Sequence, residues 1–295
     1  MNPLSLADVR NFWLAENRHP SKRLGQNFLV DANIVRIILE AAGVSEADTV
    51  LEIGPGLGVL TRALAARAGR LVAVEKDRRL YEHLARELAG MKNLRLICGD
   101  ALELDYTASM PDADYKVVAN LPYASGTAML VNFMQLPSPP AGLVVTLQLE
   151  VGQRLAAVPG GRNYGLLGLW AALHYETDIC KIISPTCFWP PPLVKSAVVR
   201  LRRRPRPVIE LADRPLFFEL TKQAFGRRRK QMGTVLRGAP VLPGWPADKL
   251  AQLLAAAGVD PRARPESLDV MAWGRLANHA AALLRRAPAA RHGQA

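Results

Sequence analysis

The residue types best suited to chemistry fall in a few short segments of this chain, foremost Asn120-Leu121-Pro122-Tyr123. Asn and Pro commonly occupy turns. This tetrad, however, follows an apolar run that reads as a strand, and open α/β sheets bind ligands beyond their strand ends. The amino nitrogen of adenine is a sluggish nucleophile because its lone pair is delocalised into the ring. Two acceptors aimed at its hydrogens favour the pyramidal form that can attack. The side-chain oxygen of Asn120 and the backbone carbonyl of Leu121 or Pro122 are acceptors of that kind, and Pro122 holds the turn fixed. Tyr123 offers a ring on which a base can stack, an interaction worth roughly 1–3 kcal/mol.

A second segment, Leu51-Glu52-Ile53-Gly54-Pro55-Gly56-Leu57-Gly58, has the spacing of a strand-to-helix turn whose glycines let the backbone approach a ligand. Its pattern is G-x-G-x-G. A dinucleotide fingerprint places the third glycine one position later, beside a pyrophosphate, so this turn suits an adenosine without phosphates. Glu75, 21 residues after Gly54, ends the next strand, where a carboxylate accepts from both hydroxyls of a ribose. Asp100, followed by Ala101, ends the third strand, where an adenine amino group would lie. Together these predict an S-adenosylmethionine site at Gly54, Gly56, Glu75, Asp100 and Ala101, with Asn120 also beside the cofactor. An activated sulfonium donor needs neither a metal nor a covalent nucleophile, and positioning carries most of the catalysis.

The elements that must position these residues follow from periodicity. Ile34, Val35, Ile37, Ile38 and Leu39 recur at helical spacing, with Asp31 placed to cap the helix and Gly43 to end it. Strands are predicted at 49–53, 71–74, 94–98, 116–119 and 143–147, and helices at 59–67, 78–88, 127–135 and 151–157. That alternation gives a parallel α/β sheet, doubly wound with helices on both faces. Runs at 178–183 and 196–201 lack a helix between them and are expected to close the sheet as an antiparallel hairpin. Arg-Arg-Arg-Pro-Arg-Pro over 202–207 cannot continue a central strand. A boundary there separates a catalytic, cofactor-binding domain with an N-terminal extension, residues 1–204, from a small all-α domain, residues 205–295. Helices are predicted in the latter at 216–225, 230–236, 249–257 and 267–284, and the tail beyond Ala287 is expected to fray.

Charge supports the same division. The chain carries a formal charge of +12, and 18 basic against 19 acidic side chains precede Lys195, whereas 20 against 7 follow from it. A basic excess confined to one region points to a polyanionic partner, a nucleic acid or an anionic membrane. Two clusters, Arg202-Arg203-Arg204 and Arg227-Arg228-Arg229-Lys230, are the candidate phosphate contacts. The longest uncharged apolar stretch, near 164–175, is shorter than the ~20 residues of a bilayer span. The N-terminal apolar residues are broken by Asp8, Arg10 and Asn11, unlike a secretory signal. Cys98, Cys180 and Cys187 form no C-x-x-C pair and the five histidines do not cluster. A cytoplasmic protein without a metal site is expected.

Five segments in order carry a resemblance to a known family: Arg23-Leu24-Gly25-Gln26-Asn27-Phe28-Leu29, the glycine turn, Asn120-Leu121-Pro122-Tyr123, Phe188-Trp189-Pro190-Pro191-Pro192 with Ser196-Ala197-Val198-Val199-Arg200-Leu201, and Ala224-Phe225 through Lys230. Over nearly its whole length the chain resembles the small-subunit ribosomal RNA adenine N6,N6-dimethyltransferases. The resemblance implies a Rossmann-like methyltransferase sheet and adds Asn27 and Leu29 beside the cofactor. It also implies that Phe188 stacks on the flipped base. The implied reaction puts two methyls on each of two adjacent adenosines in the 3′-terminal hairpin of small-subunit rRNA, the partner being an immature 30S particle and the enzyme a monomer. The chain departs from the family pattern at Ala124, Leu166, Lys195 and Thr234, positions that bear on RNA contact and closure. Three alternatives remain at this point: a 23S rRNA adenine methyltransferase, a non-catalytic RNA-binding assembly factor of the same fold, and a nicotinamide-dependent oxidoreductase, which the glycine spacing disfavours.

Overall fold

The computed structural model of the chain describes residues 5–286 apart from 22, 111, 113 and 243; the fraying expected beyond Ala287 lies outside them. The described residues form two compact units, one made of the chain up to Ala156 with Tyr175–Arg203, the other of Ala157–His174 with the chain from Arg204. In the first unit α1 (Leu6–Ala15) and a two-residue strand β1 (Phe28–Leu29) precede α2 (Ala32–Ala42), β2 (Thr49–Ile53), α3 (Val59–Ala65), β3 (Arg70–Glu75) and α4 (Arg78–Glu87). Then come β4 (Leu94–Cys98), α5 (Tyr106–Ser109), β5 (Tyr115–Asn120), α6 (Gly126–Gln135), β6 (Gly142–Gln148) and α7 (Leu149–Leu155). After α8 (Leu166–His174), which belongs to the second unit, the first resumes with β7 (Tyr175–Ile183), β8 (Phe188–Trp189) and β9 (Ser196–Arg203).

Seven of these strands form one sheet in the order β4-β3-β2-β5-β6-β9-β7. The first five are parallel, while β9 runs antiparallel to both β6 and β7, so the expected closing hairpin is present. From β2 the chain moves outward to β3 and β4, then crosses to the other side of β2 with β5. The carboxyl ends of β2 and β5 therefore flank the switch point, where such sheets leave a crevice.

Local chemistry explains the outer elements. The Asp31 carboxylate accepts from the amides of Asn33 and Ile34 and starts α2, a cap worth ~1 kcal/mol. Gly43, in the left-handed region at φ 52°, ends it. Ile34, Val35, Ile38 and Leu39 face the sheet, packed with Val50, Val144 and Val198. Every residue of β2 is buried, and Val50, Leu51 and Ile53 each contribute about 1.5–3 kcal/mol by that burial.

The second unit consists of α8, α9 (Arg214–Phe225), α10 (Met232–Arg237), α11 (Ala247–Ala257) and α12 (Val270–Arg286). The helix α8 corrects the sequence expectation, which placed residues 157–174 in the first domain and gave 164–175 no element. Leu167, Leu169, Trp170 and Leu173 are all buried. A helix apolar on every side must be covered all round, and its pattern shows no face. The Trp170 indole N–H donates to Thr221 Oγ1 at 3.0 Å, and its ring meets Phe218 edge-on at 5.1 Å. The Tyr164 hydroxyl donates to the Leu268 carbonyl at 3.1 Å.

Candidate active site

Beyond β2 the backbone turns through Gly54, Gly56 and Gly58 at φ 64°, 62° and 79°. Only glycine adopts this region without strain. At Gly56 a Cβ would stand 3.1 Å from the Phe28 ring, and at Gly54 one would stand 3.5 Å from Pro122. The turn is thus pressed between the N-terminal segment and the tip of β5. Glu75, at the end of β3, reaches back to it: Oε2 accepts from the Gly56 amide at 3.0 Å and Oε1 from the Asp77 amide at 2.8 Å. Burial pushes the Glu75 carboxyl up to about 7, opposed by those amides. Glu52 lies on the same wall, fully buried, and its Oε2 has no hydrogen-bond partner. Burial pushes Glu52 up to about 8, and the charge of Glu75 adds to the shift. Asp100 is ion-paired with Lys76 and accepts from the Leu102 amide at 3.0 Å, two contacts that hold its carboxyl below the usual range.

At the tip of β5 the ladder runs one residue further, the Leu121 amide donating to the Thr146 carbonyl at 3.1 Å. The Pro122 carbonyl then accepts from the amides of Ser125 (3.2 Å) and Gly126 (2.8 Å) at the start of α6. Asn120 Nδ2 donates to the Asn27 carbonyl at 2.9 Å, which fixes the orientation of the amide. Its Oδ1 is left buried without a partner, and an unbonded buried acceptor costs about 1–3 kcal/mol. The Tyr123 hydroxyl is hydrogen-bonded to Ser196 Oγ on β9, so the half-buried ring is tethered. Burial raises the Tyr123 phenol further, against that bond, and keeps it neutral. Residues 23–27 form a strap: Gly25, at φ 65°, brings its backbone so close that a Cβ would lie 3.1 Å from the Tyr123 amide nitrogen, and Gln26 Nε2 donates to Asp77 Oδ2 at 3.1 Å.

These parts enclose a cavity of about 300 Å³. Asn27, Leu29, Gly54, Gly56, Glu75, Asp100, Ala101, Asn120, Leu121, Pro122 and Tyr123 all line it, as does Ala124. Sequence reasoning missed the strap residues 23–26, Glu52 and Ser196. A signal existed for Glu52, since a carboxylate inside an otherwise apolar strand needs a reason to be there.

Phe188 stands apart from the other candidates. It does not reach the cavity wall: it is 3% exposed, lies opposite Leu29 in the short β1–β8 pair, and packs among the core residues Leu29, Ile34 and Val198. Its ring offers no free face for a base. The first basic cluster also lies away from the cavity. β9 starts beside the site at Ser196, opposite Gln148, and runs away from it, so that Arg202 lies opposite Gly142. Six residues at ~3.3 Å each put Arg202 roughly 20 Å from that end. Arg202 pairs with Asp178 at 3.1 Å and Glu176 at 3.6 Å, and Arg203 pairs with Asp114 and donates to the Pro139 carbonyl at 2.8 Å. Arg204, in the second unit, donates its amide to the His174 carbonyl at 2.7 Å. Arg227, Arg228, Arg229 and Lys230 lie in an exposed turn after α9, where Arg228 Nε contacts Glu266 Oε2 at 2.8 Å. Among the described residues no three His, Cys, Asp or Glu side chains gather as a metal site, and no helix is long and apolar enough to cross a membrane.

A switch-point cavity bounded by a G-x-G-x-G turn, carboxylates at the next two strand tips and Asn-Leu-Pro-Tyr at the tip of β5 defines the class, a Rossmann-like methyltransferase. Comparison with known proteins narrows it. Residues 17–251 match the family model described as ribosomal RNA adenine dimethylase. The ribosomal RNA small subunit methyltransferase A of Moorella thermoacetica is 45% identical over 260 residues, spanning 85% of this chain and 89% of the relative. Among solved structures, a dimethyladenosine transferase from Plasmodium falciparum shares the fold with TM-score 0.73 and 23% identity, covering 84% of this chain and 95% of that one. The 23S rRNA methyltransferase ErmE gives TM-score 0.63 and 27% identity, covering 86% and 100%. The chain belongs to the ribosomal RNA adenine dimethylase family.

Proposed function

We propose that the chain transfers methyl groups from S-adenosylmethionine to the N6 amino group of two adjacent adenosines in the 3′-terminal hairpin of small-subunit rRNA, acting as a cytoplasmic monomer on immature 30S particles. The observation that carries the reading is Asn120 Oδ1, a buried acceptor on the cavity wall with no partner of its own. A second acceptor is needed for the other hydrogen of the amino group. The Pro122 carbonyl is already engaged by two amides, whereas no described donor bonds the Leu121 carbonyl, so the pair is Asn120 Oδ1 and Leu121 O. The tethered Tyr123 ring supplies the stacking surface.

The residues present fit the methyl donor. Both Glu75 oxygens accept backbone amides, and the carboxylate, with about four lone-pair sites, retains acceptor capacity for a ribose hydroxyl. Asp100, held ionised by Lys76, keeps acceptor capacity for an adenine amino group. Gly54 and Gly56 leave the space that side chains would fill, and the strap carrying Asn27 covers the same cavity next to Leu29. Bound S-adenosylmethionine supplies a methyl already activated on a sulfonium. Arg227, Arg229 and Lys230, exposed, are the phosphate contacts of choice, with Arg228 sharing its charge with Glu266.

The alternative of a 23S rRNA substrate has less support, since the small-subunit relative is 45% identical and the 23S enzyme 27%. Incubating unmethylated small subunits with labelled S-adenosylmethionine and mapping the modified nucleotides tests the reading. Dimethyladenosine at the two hairpin positions is expected; label only on large-subunit RNA, or no transfer, would overturn it.

A further inference from the structure

Between Phe188 and Ser196 the chain is anchored at both ends and bare in the middle. Phe188 is locked in its pair with Leu29, and the Lys195 carbonyl accepts from the Leu149 amide at 2.9 Å. The intervening Pro190, Pro191 and Pro192 fix three successive φ angles and stiffen the projection. At its tip Leu193 is fully exposed, Val194 is 47% exposed, and Ile182, opposite Ala197 on the paired strand, is 52% exposed. Single exposed apolar side chains are ordinary. Three at one end of one hairpin, two of them on a proline-stiffened loop, form a patch. The exposed Lys181 and Lys195 flank it, neither in an ion pair among the described residues, and no acidic residue occurs from Lys181 to Ser196. The tip is beside the site: Leu193 stands three residues before Ser196, the partner of the Tyr123 hydroxyl, so the two Cα atoms are within ~11 Å.

We infer that Leu193 and Val194 form an apolar wedge that enters the RNA base stack next to the target adenosine and keeps it open while the adenosine occupies the cavity, Lys181 and Lys195 facing the adjoining phosphates. The inference rests on the RNA adenine reaction proposed above. A base leaving a stack exposes the apolar faces of its neighbours at a cost of a few kcal/mol, and inserted aliphatic side chains are a known means of covering them. A stiff loop does this with little ordering entropy. With Phe188 buried, Leu193 and Val194 on this loop, beside Ile182, stand free near the site.

The test compares two unmethylated small-subunit preparations, one with the natural hairpin and one whose hairpin loop is enlarged with uridines so that the target adenosines are already unstacked. For wild type, Leu193→Ser and Leu193→Phe, kcat/KM is measured on each by label transfer, with the thermal midpoint confirming folding. The ratio of natural to unstacked substrate is expected to fall at least tenfold in Leu193→Ser and to return within threefold of wild type in Leu193→Phe. An unchanged ratio in Leu193→Ser, whatever the separate rates, would overturn the wedge. Wild-type protein inert on both preparations would instead overturn the methyl-transfer reading, and the wedge with it.

Discussion

Replacing Asn120 by Ala removes two interactions whose effects separate by assay. The first is the donation from Nδ2 to the Asn27 carbonyl at 2.9 Å, which ties the strap to the tip of β5. A neutral hydrogen bond of this kind contributes about 0.5–1.5 kcal/mol, so its loss should weaken S-adenosylmethionine binding by roughly two- to tenfold through a looser strap. The second is the acceptor Oδ1, which has no partner in the protein and so loses nothing in the ground state. In the proposed reaction its contribution arises when the adenine amino nitrogen pyramidalises and its hydrogens acquire charge. Removing one preorganised group of this type lowers kcat by ~100–1,000-fold, or about 2.7–4 kcal/mol. Calorimetric titration of the donor and single-turnover methylation of unmethylated small subunits read the two effects independently. The expected pattern is a small change in donor affinity and a kcat loss of two to three orders of magnitude. A kcat loss under tenfold, or one wholly accounted for by the weakened donor affinity, would refute the assignment of Oδ1 as the hydrogen acceptor.

Other consequences follow from the same geometry. Glu52, raised by burial from 4.5 to about 8, binds its proton more tightly folded than unfolded, so its contribution to stability is fully present below pH 4.5 and is lost as pH rises through about 8. Glu52→Gln, which cannot ionise, should gain stability over wild type across that window, by a few kcal/mol at its upper end; thermal midpoints that differ equally at pH 5 and pH 8.5 would exclude the effect. Gly56→Ala forces a left-handed φ on a Cβ residue and sets that Cβ 3.1 Å from Phe28. At least a tenfold loss of S-adenosylmethionine affinity is expected by calorimetry, and undiminished affinity would remove this turn from the donor site. Joint replacement of Arg227, Arg228 and Arg229 by Ala should reduce the slope of log K against log salt for RNA binding by roughly 0.7–0.9 for each phosphate that is no longer neutralised. Joint replacement of Arg202 and Arg203, paired with carboxylates at the far end of the sheet, should leave it unchanged; filter binding at several salt concentrations distinguishes the two.

Much of this arrangement is legible in the sequence wherever one local signal fixes one element. The strand Thr49–Ile53 has the same bounds in the sequence pattern and in the structure, because an apolar run ends in glycines that cannot extend it. In α2 a capping Asp, an apolar stripe and a terminal glycine all agree. The strand tips then place Gly54, Glu75, Asp100 and Asn120 together without further information, since parallel strands joined by helices must end on the same edge. Three helices escape such reading, among them α5, a single turn over Tyr106–Ser109 too short to show a period. The segment 166–174 has no polar face from which to read a period, and α1 is announced only by a Ser5–Asp8 capping box, in which the Asp8 carboxylate accepts from the Ser5 amide at 2.7 Å.

Phe188 and Arg202 lie apart from the cavity for two different tertiary reasons, the pairing of Phe188 with Leu29 and the direction of β9. Composition places the first three arginines of the basic region next to the last strand, and proximity in sequence to Ser196 makes them look like neighbours of the site. An antiparallel strand undoes that inference: each further residue carries the chain away from the cavity. Phe188 lies on the other side of Ser196, yet its pairing with Leu29 draws it into the core. Between these two anchored stretches only residues 190–195 stay at the edge of the site and free of the sheet. In the reading proposed above, the contact with RNA near the reacting base would fall to this loop of prolines and aliphatic side chains, and the phosphate contacts to the exposed turn after α9. The sign of the charge predicts the kind of partner, and strand direction decides which residues can meet it.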